Sequence, residues 1–180
     1  MLTENNYREL FKVVNEGIAC VVFLKKKKNE VRCMLCTRNN ILSNEFIGYL
    51  GTKLNMFDGK YAQSNDILPV IDLAIQDVRS VTTSRMIYLQ ELPTPSSIED
   101  FENLLSCFKA FETQCIELLG HAISDSLDAL DENYMIQHYE QLMRSLTMQV
   151  PLKPKKHNNQ LSILLTQKLK ATTDLLLYDI

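Results

Sequence analysis

Hydrophobic residues in the first forty positions follow two different periods. Between residues 3 and 15 they recur every three to four positions, which predicts an amphipathic helix. Apolar and β-branched residues then fill Ile18–Leu24 and Val31–Thr37, which predicts two strands. Asn29 lies in the polar, lysine-rich stretch between them and tolerates positive φ, so this region is expected to be a β-hairpin with a charged turn.

Three further short apolar runs follow a less regular stretch. The irregular stretch contains the Asp58–Gly59 pair, a strong turn signal, and residues 44–55, which have room for one or two helical turns. The apolar runs cover residues 67–73, 78–82 and 86–89. Pro69 in the first run indicates an edge strand, because proline cannot donate a hydrogen bond to a neighbouring strand. Five short strands with brief connections predict a small β-barrel or sheet.

A proline-rich segment separates these strands from a helical region. Pro93–Thr94–Pro95 predicts an extended linker, since each proline disfavours helix in the preceding residue. Ser96 and Glu99 follow with the spacing of a helix capping box. An apolar stripe then predicts an amphipathic helix that ends at Gly120, and Glu112 interrupts the stripe. The members of the stripe are Ile98, Phe101, Leu105, Phe108, Cys115 and Leu119.

Two more helices are expected after this one. They cover residues 131–148 and 161–178, and residues 150–159 between them form a loop with two prolines. The sequence therefore predicts an α+β fold in two domains. Residues 1–92 would form a short helix and a small β-barrel, and residues 96–180 would form an α-helical hairpin or small bundle.

Composition and charge restrict the function more than they identify it. The 180 residues are 46% hydrophobic and carry a net charge of −3, which argues against a protein that coats nucleic acid over its whole surface. Residues 1–91 hold 12 Lys and Arg against 10 Asp and Glu, whereas residues 92–180 hold 7 against 12. Only 5 glycines are present, which excludes glycine-rich phosphate loops. No apolar run is long enough to span a bilayer, so no membrane partner is expected.

The β region resembles a family of small proteins from bacteriophages and other large DNA viruses that have an SH3-like or Sm-like barrel. The hairpin of that family has its pattern here at Phe23, Lys25, Lys26, Arg32, Met34 and Thr37. Its later strands are matched by Val70, Asp72, Arg79, Ser80 and Ile87. The resemblance covers residues 18–91 and implies an SH3-like β-barrel and a viral setting. It adds no defined activity, and the helical half has no counterpart in it.

The basic hairpin is the first candidate for function. Its charge could form a nucleic-acid-binding patch, which would comprise Lys25, Lys26, Lys27, Lys28, Arg32, Arg38, Arg79 and Arg85. The alternative is a solvated hairpin whose lysines prevent unwanted strand pairing. No aromatic residue alternates with the lysines, so stacking on single-stranded bases is poorly supported.

The cysteines and histidines favour no catalytic or metal site. Cys33 and Cys36 form a CxxC within a predicted strand, where residues three apart point to opposite faces. The five cysteines are an odd number without a secretory signal, which indicates free thiols and an intracellular setting. Together with the viral setting that the resemblance implies, the expected location is a host cytoplasm or nucleus, or a virion. The three histidines are scattered and suggest no triad. We therefore expect a protein without enzymatic activity, catalytic residues, metal or cofactor.

The apolar stripe of the long helix is the second candidate. Its partner-binding or self-association residues would be Ile98, Phe101, Leu105, Phe108 and Leu119. The leading hypothesis is an accessory or structural protein of a phage or large DNA virus that acts by protein–protein assembly or self-association. The alternative is a factor that binds DNA or RNA through the basic hairpin in viral replication, transcription or packaging.

Overall fold

A computed structural model describes residues 2–25, 30–126 and 132–151, without the side chains of residues 2–4, 121–126 and 132. The described helices are α1 (Leu2–Glu16), α2 (Asn40–Phe46), α3 (Gly51–Tyr61), α4 (Ile98–Ser126) and α5 (Glu132–Met143). The strands are β1 (Ile18–Leu24), β2 (Val31–Thr37), β3 (Ile67–Asp72), β4 (Asp77–Thr82) and β5 (Met86–Leu92), with a 3₁₀ turn at Thr83–Arg85. The predicted helix over residues 161–178 lies outside the described residues.

The five strands form one antiparallel sheet in the order β4-β3-β2-β1-β5. The predicted α+β class is therefore confirmed. The predicted barrel is not confirmed, because β4 and β5 do not pair with each other within the described part of the chain. Each of these two strands has a neighbour on one side only. The sheet is open, with β4 and β5 at its edges.

Alternate residues of the sheet pack into two separate cores. One face of β1 presents Ala19, Val21 and Phe23 to a core that α1 completes with Leu10 and Val14. The other face packs against helices α2 to α5, with β1 residues Ile18, Cys20, Val22 and Leu24. All seven residues of β1 are buried because helices cover the sheet on both sides.

The polar stretch before β3 forms more helix than its sequence indicates. It forms α2 and α3, and the predicted Asp58–Gly59 turn is wrong because both residues lie inside α3. Two contacts stabilise these helices, one at α2 and one at α3. Asn39 caps α2 by accepting hydrogen bonds from the N–H groups of Ile41 and Leu42. Asp58 forms an ion pair with Arg38, which ties α3 to the sheet.

Pro69 lies in β3, which is an inner strand and not the predicted edge strand. β2 pairs with β3 only at Cys36–Asp72 and Thr37–Ile71, so the ladder has ended before Pro69. On its other side, Pro69 lies opposite Ser80 of β4. The missing proline N–H therefore costs no hydrogen bond to β2.

Helix α4 differs from its prediction at both ends. Ser97, not Ser96, caps it by accepting a hydrogen bond from the Asp100 N–H, and the Asp100 carboxylate accepts one from Ser96. The helix also continues through Gly120 to Ser126. Glycine inside a helix costs about 1 kcal/mol relative to alanine, which a long packed helix can offset.

The helices after the proline linker share a core with the sheet. Phe101 and Phe108 of α4 and Tyr139 of α5 belong to the same buried cluster as Ile18, Cys20, Val22 and Leu24 of β1. The chain divides into compact units of residues 1–150 and 151–180, whereas the sequence placed the boundary at residues 93–95. The described residues other than Pro151 all lie in the first unit.

Candidate functional site

The lysine hairpin contributes one described lysine. Lys25 donates to the Glu30 carboxylate across the turn at 3.0 Å, and the two side chains are partly exposed. An exposed ion pair of this kind stabilises a fold by at most about 1 kcal/mol. Lys26, Lys27 and Lys28 lie outside the described residues.

Two arginines of the predicted basic patch hold the fold together. Arg38 donates to both Asp58 carboxylate oxygens at 2.9 and 2.7 Å and to the Pro69 carbonyl, and it lies over the Phe11 ring. Arg85 is buried and donates to the carbonyl oxygens of Leu24 and Lys25 at the end of β1. Neither guanidinium presents a free surface for phosphate.

The predicted partner face of α4 is mostly internal. Phe101, Phe108 and Leu119 are buried in the core against the sheet, and Leu105 packs partly buried beside them. Ile98 alone of the five predicted residues is exposed. The amphipathic stripe is therefore a core-packing face, and its apolar residues are already covered by this chain.

The CxxC cysteines face opposite sides of the sheet, as predicted from strand geometry. Cys36 is buried in the core beneath α1, whereas Cys33 packs toward α4. A hydrogen bond to Cys115, followed by burial, raises the pKa of the Cys33 thiol, and burial raises that of Cys36. Both effects favour the neutral thiol, so neither cysteine has the lowered pKa of a reactive nucleophile.

The remaining two arginines of the patch, Arg32 and Arg79, meet in a cleft. The cleft opens where β2 and β3 separate after the Cys36–Asp72 pair, and α4 closes one side of it. Its volume is about 240 Å³. The cleft is lined by Val31, Arg32, Cys33, Asp72, Ala74, Ile75, Arg79, Phe108, Glu112 and Ile116.

The N-terminal half of β2 presents free backbone groups to this cleft. The Leu35 carbonyl accepts a hydrogen bond from the Leu73 N–H, so it points away from β1. Backbone direction alternates along an antiparallel strand, so the N–H and C=O groups of Val31 and Cys33 point to the same side as those of Leu35. Among the described residues, none pairs with them there.

Asp72 has hydrogen-bond partners in the cleft, whereas its two arginines have none among the described residues. Within the described parts of the chain, Arg32 and Arg79 form neither an ion pair nor a hydrogen bond. Burial, and then the neighbouring Arg79, lower the pKa of Arg32. Asp72 is buried, and one of its carboxylate oxygens accepts hydrogen bonds from the N–H groups of Ala74 and Ile75.

The two carboxyl groups of the cleft are the groups whose charge is least favoured. Burial raises the pKa of Asp72, although the two N–H donors and the arginines oppose the shift. Burial and then Asp72 raise the pKa of Glu112. An incoming anion would meet two guanidinium groups that form no ion pair among the described residues, with the Asp72 and Glu112 carboxyl groups in the same cleft.

Two large apolar side chains are exposed at the cleft. Ile75 in the β3–β4 turn is 51% exposed and Ile116 of α4 is 52% exposed. Buried Phe108 lies between these elements and forms an apolar wall. The cleft thus combines exposed apolar side chains with two arginines that form no ion pair among the described residues.

The sequence predicts Arg32 and Arg79 as site residues, but it does not predict the two carboxyl groups or the two isoleucines of the cleft. Glu112 left a signal, because it interrupts an otherwise apolar helical stripe. Asp72 left a weaker signal as an acidic residue that ends an apolar strand. Nothing local marked Ile75 or Ile116, since their position depends on the approach of α4 to the β3–β4 turn.

The part of the chain that the structure describes contains no metal-binding cluster and no membrane-spanning helix. No group of three or more His, Cys, Asp or Glu residues there lies close enough to hold a metal ion. His138 is exposed, with its ring 6.0 Å from that of Tyr139, and His157 lies outside the described residues. No helix within the described residues is both long and apolar enough to cross a membrane.

Comparison of the chain with protein-family models, with curated proteins and with solved structures found no match to any of them.

Proposed function

We propose that the protein is a non-enzymatic assembly factor that binds a protein partner through the cleft between β2, the β3–β4 turn and α4. The observation that carries the proposal is the grouping of Arg32 and Arg79 with exposed Ile75 and Ile116 beside a free strand edge. Arginine and large apolar residues are enriched in protein interfaces. A clustered apolar and cationic surface suits a protein better than a phosphate backbone.

We also propose that the sheet is an SH3-like or Sm-like barrel, as in the phage and large-virus family that the hairpin resembles. The connection between β4 and β5 supports this. A flat five-stranded sheet would separate its edge strands by about 19 Å at about 4.8 Å per strand. Thr82 and Met86 are four residues apart and span at most about 14 Å. The sheet must therefore curl so that its two edges approach each other at this end.

Photo-crosslinking tests the proposed function with a matched pair of positions. A benzoylphenylalanine replaces either Ile116 in the cleft or Ile98 at the start of the same helix, which is 66% exposed. The two positions are about 27 Å apart along the helix axis. In the cells from which the protein comes, we expect Ile116 to give a protein adduct that Ile98 does not. Equal adducts at both positions, or none at Ile116, would refute the proposal.

A nucleic-acid-binding function is the alternative, and the run Lys25–Lys28 is the feature that favours it. Binding to phosphates releases counter-ions, so that affinity falls steeply as salt rises. A titration of the full chain with duplex DNA and with single-stranded RNA at 50 and 200 mM salt distinguishes the two functions. The assembly proposal predicts no salt-sensitive binding to either. Tight binding that weakens with salt and is lost when the four lysines become serine would favour the alternative.

A further inference from the structure

We infer that the cleft takes an extended peptide segment with an apolar–acidic–apolar pattern, which adds as a strand beside the free edge of β2. This inference rests on the proposed protein-binding function and specifies the chemistry of the partner. It combines three independent features: the direction of the β2 backbone, the alternation of its side chains, and the size of the cleft.

The backbone of β2 supplies the first feature. The N–H and C=O groups of Cys33 point away from β1 and face the cleft, with no described partner. A residue lying opposite Cys33 in an antiparallel strand would exchange two hydrogen bonds with it. Such strand addition is a common way for a sheet edge to bind a peptide, since main-chain bonds supply affinity and alternate side chains supply specificity.

The side chains of β2 determine the pattern of the peptide. A residue paired with Cys33 points its side chain to the same side of the sheet, toward Phe108 and Ile116 of α4. The next residue along points to the opposite side, which it shares with Arg32 and Arg79. The first position therefore favours an apolar side chain and the second a carboxylate. Aspartate or glutamate there would form charge-assisted hydrogen bonds with two guanidinium groups that have no ion pair among the described residues.

The size of the cleft favours a peptide over a free small molecule. A volume of about 240 Å³ equals that of about eight liquid water molecules and lies below the usual range of small-ligand pockets. The remaining contact surface lies at the rim, where Ile75 and Ile116 are exposed. A segment that crosses the rim and inserts a few side chains uses both regions.

Fluorescence anisotropy on the full chain tests the inference with defined peptides. The probe is an end-blocked, fluorescein-labelled peptide of sequence Val-Glu-Val-Glu-Val, compared with Val-Lys-Val-Lys-Val. We expect the acidic peptide to bind at least about tenfold more tightly. N-methylation of the first and central valines, whose N–H groups would bond to the carbonyls of Cys33 and Val31, should abolish that binding. N-methylation of a glutamate, whose N–H would point away from β2, should preserve it.

Protein variants check the charge contact separately. Arg32→Gln with Arg79→Gln should weaken binding of the acidic peptide at least about tenfold, whereas Arg144→Gln at an exposed position outside the cleft should not change it. Peptide binding should also slow hydrogen exchange of the Cys33 amide. Equal affinity for the acidic and basic peptides, or an unchanged Cys33 amide on saturation, overturns the inference.

The failure of this inference is distinguishable from that of the proposed function. A protein adduct at position 116 without affinity for the acidic peptide would overturn the strand-addition inference while the assembly function stands. Absence of an adduct at position 116 would refute the assembly function itself. The peptide comparison uses the unaltered chain, so its result does not depend on whether a variant folds.

Discussion

Replacement of Arg38 by alanine should destabilise the fold without affecting any binding surface. The guanidinium donates two hydrogen bonds to Asp58 of α3 and one to the Pro69 carbonyl of β3, and it stacks over Phe11 of α1. One side chain thus connects the helices before and after the hairpin to the sheet. The Arg38 side chain is 12% exposed and that of Asp58 is 36% exposed, so water screens the pair only in part.

The magnitude follows from these contacts. Hydrogen bonds to charged groups contribute about 1.5–3 kcal/mol where they are buried, and the exposure of Asp58 argues for the lower end of that range. The Pro69 hydrogen bond and the Phe11 contact together contribute about another 1–2 kcal/mol. We therefore expect Arg38→Ala to lower the free energy of unfolding by about 3 kcal/mol. In a chain of this length the melting temperature should fall by about 6–12 °C.

Urea denaturation of four proteins tests this account as a double-mutant cycle. The set comprises the unaltered chain, Arg38→Ala, Asp58→Ala and the double variant, with Arg144→Ala as the exposed control. We expect a coupling energy of about 1–2 kcal/mol between Arg38 and Asp58, and a change within about 0.5 kcal/mol for the control. A loss below about 1 kcal/mol for Arg38→Ala, or a coupling energy near zero, would refute the reasoning.

Three further perturbations examine the core, the cleft and the thiols. Phe108→Ala removes a buried ring that packs α4 on the sheet, and should cost about 3–5 kcal/mol by urea denaturation; a cost below about 1 kcal/mol would contradict that packing. Asp72→Asn keeps an acceptor for the N–H groups of Ala74 and Ile75 and removes a charge that burial disfavours, so its stability at pH 7 should equal or exceed that of the parent. Asp72→Ala removes the acceptor and should lower the free energy of unfolding by about 1–2 kcal/mol. A more stable Asp72→Ala than Asp72→Asn would contradict the assigned role. The pKa values of Cys20 and Cys36 are raised in the fold by burial, so their stabilising effect is present below about pH 8.5 and is lost as pH rises above it. The Cys36 thiol should cost about 2 kcal/mol by pH 10. Cys20→Ala should show a smaller loss between pH 7.5 and 10 than the parent, and identical pH profiles would contradict the prediction.

Strands were predictable here because their signals are local. β1 and β2 match their predicted bounds, since continuous apolar runs flanked by polar turns have few alternative structures. The opposite orientation of Cys33 and Cys36 also followed from the two-residue period of a strand alone. The helices after the first hairpin were less predictable, because the Arg38–Asp58 ion pair that anchors α3 joins residues 20 apart in sequence.

Charge patterns predicted the site less well than apolar patterns predicted the fold. A cluster of arginines in sequence does not indicate which of them are used internally. Arg85 is buried under backbone carbonyls and Arg38 is paired, whereas Arg32 and Arg79 meet because β2 and β3 diverge. That divergence is a property of the whole sheet, so neither the cleft nor its isoleucines could be read from local sequence.

Amide hydrogen exchange along β2 of the free protein tests the central claim most directly. The claim is that the N-terminal half of β2 keeps an unpaired edge that faces a solvent-filled cleft. The account predicts alternating protection: slow exchange at Arg32 and Met34, which lie in hydrogen-bonded pairs with β1, and fast exchange at Val31 and Cys33. Uniformly slow exchange across Val31–Met34 in the free protein would contradict it, because the edge would then already be occupied.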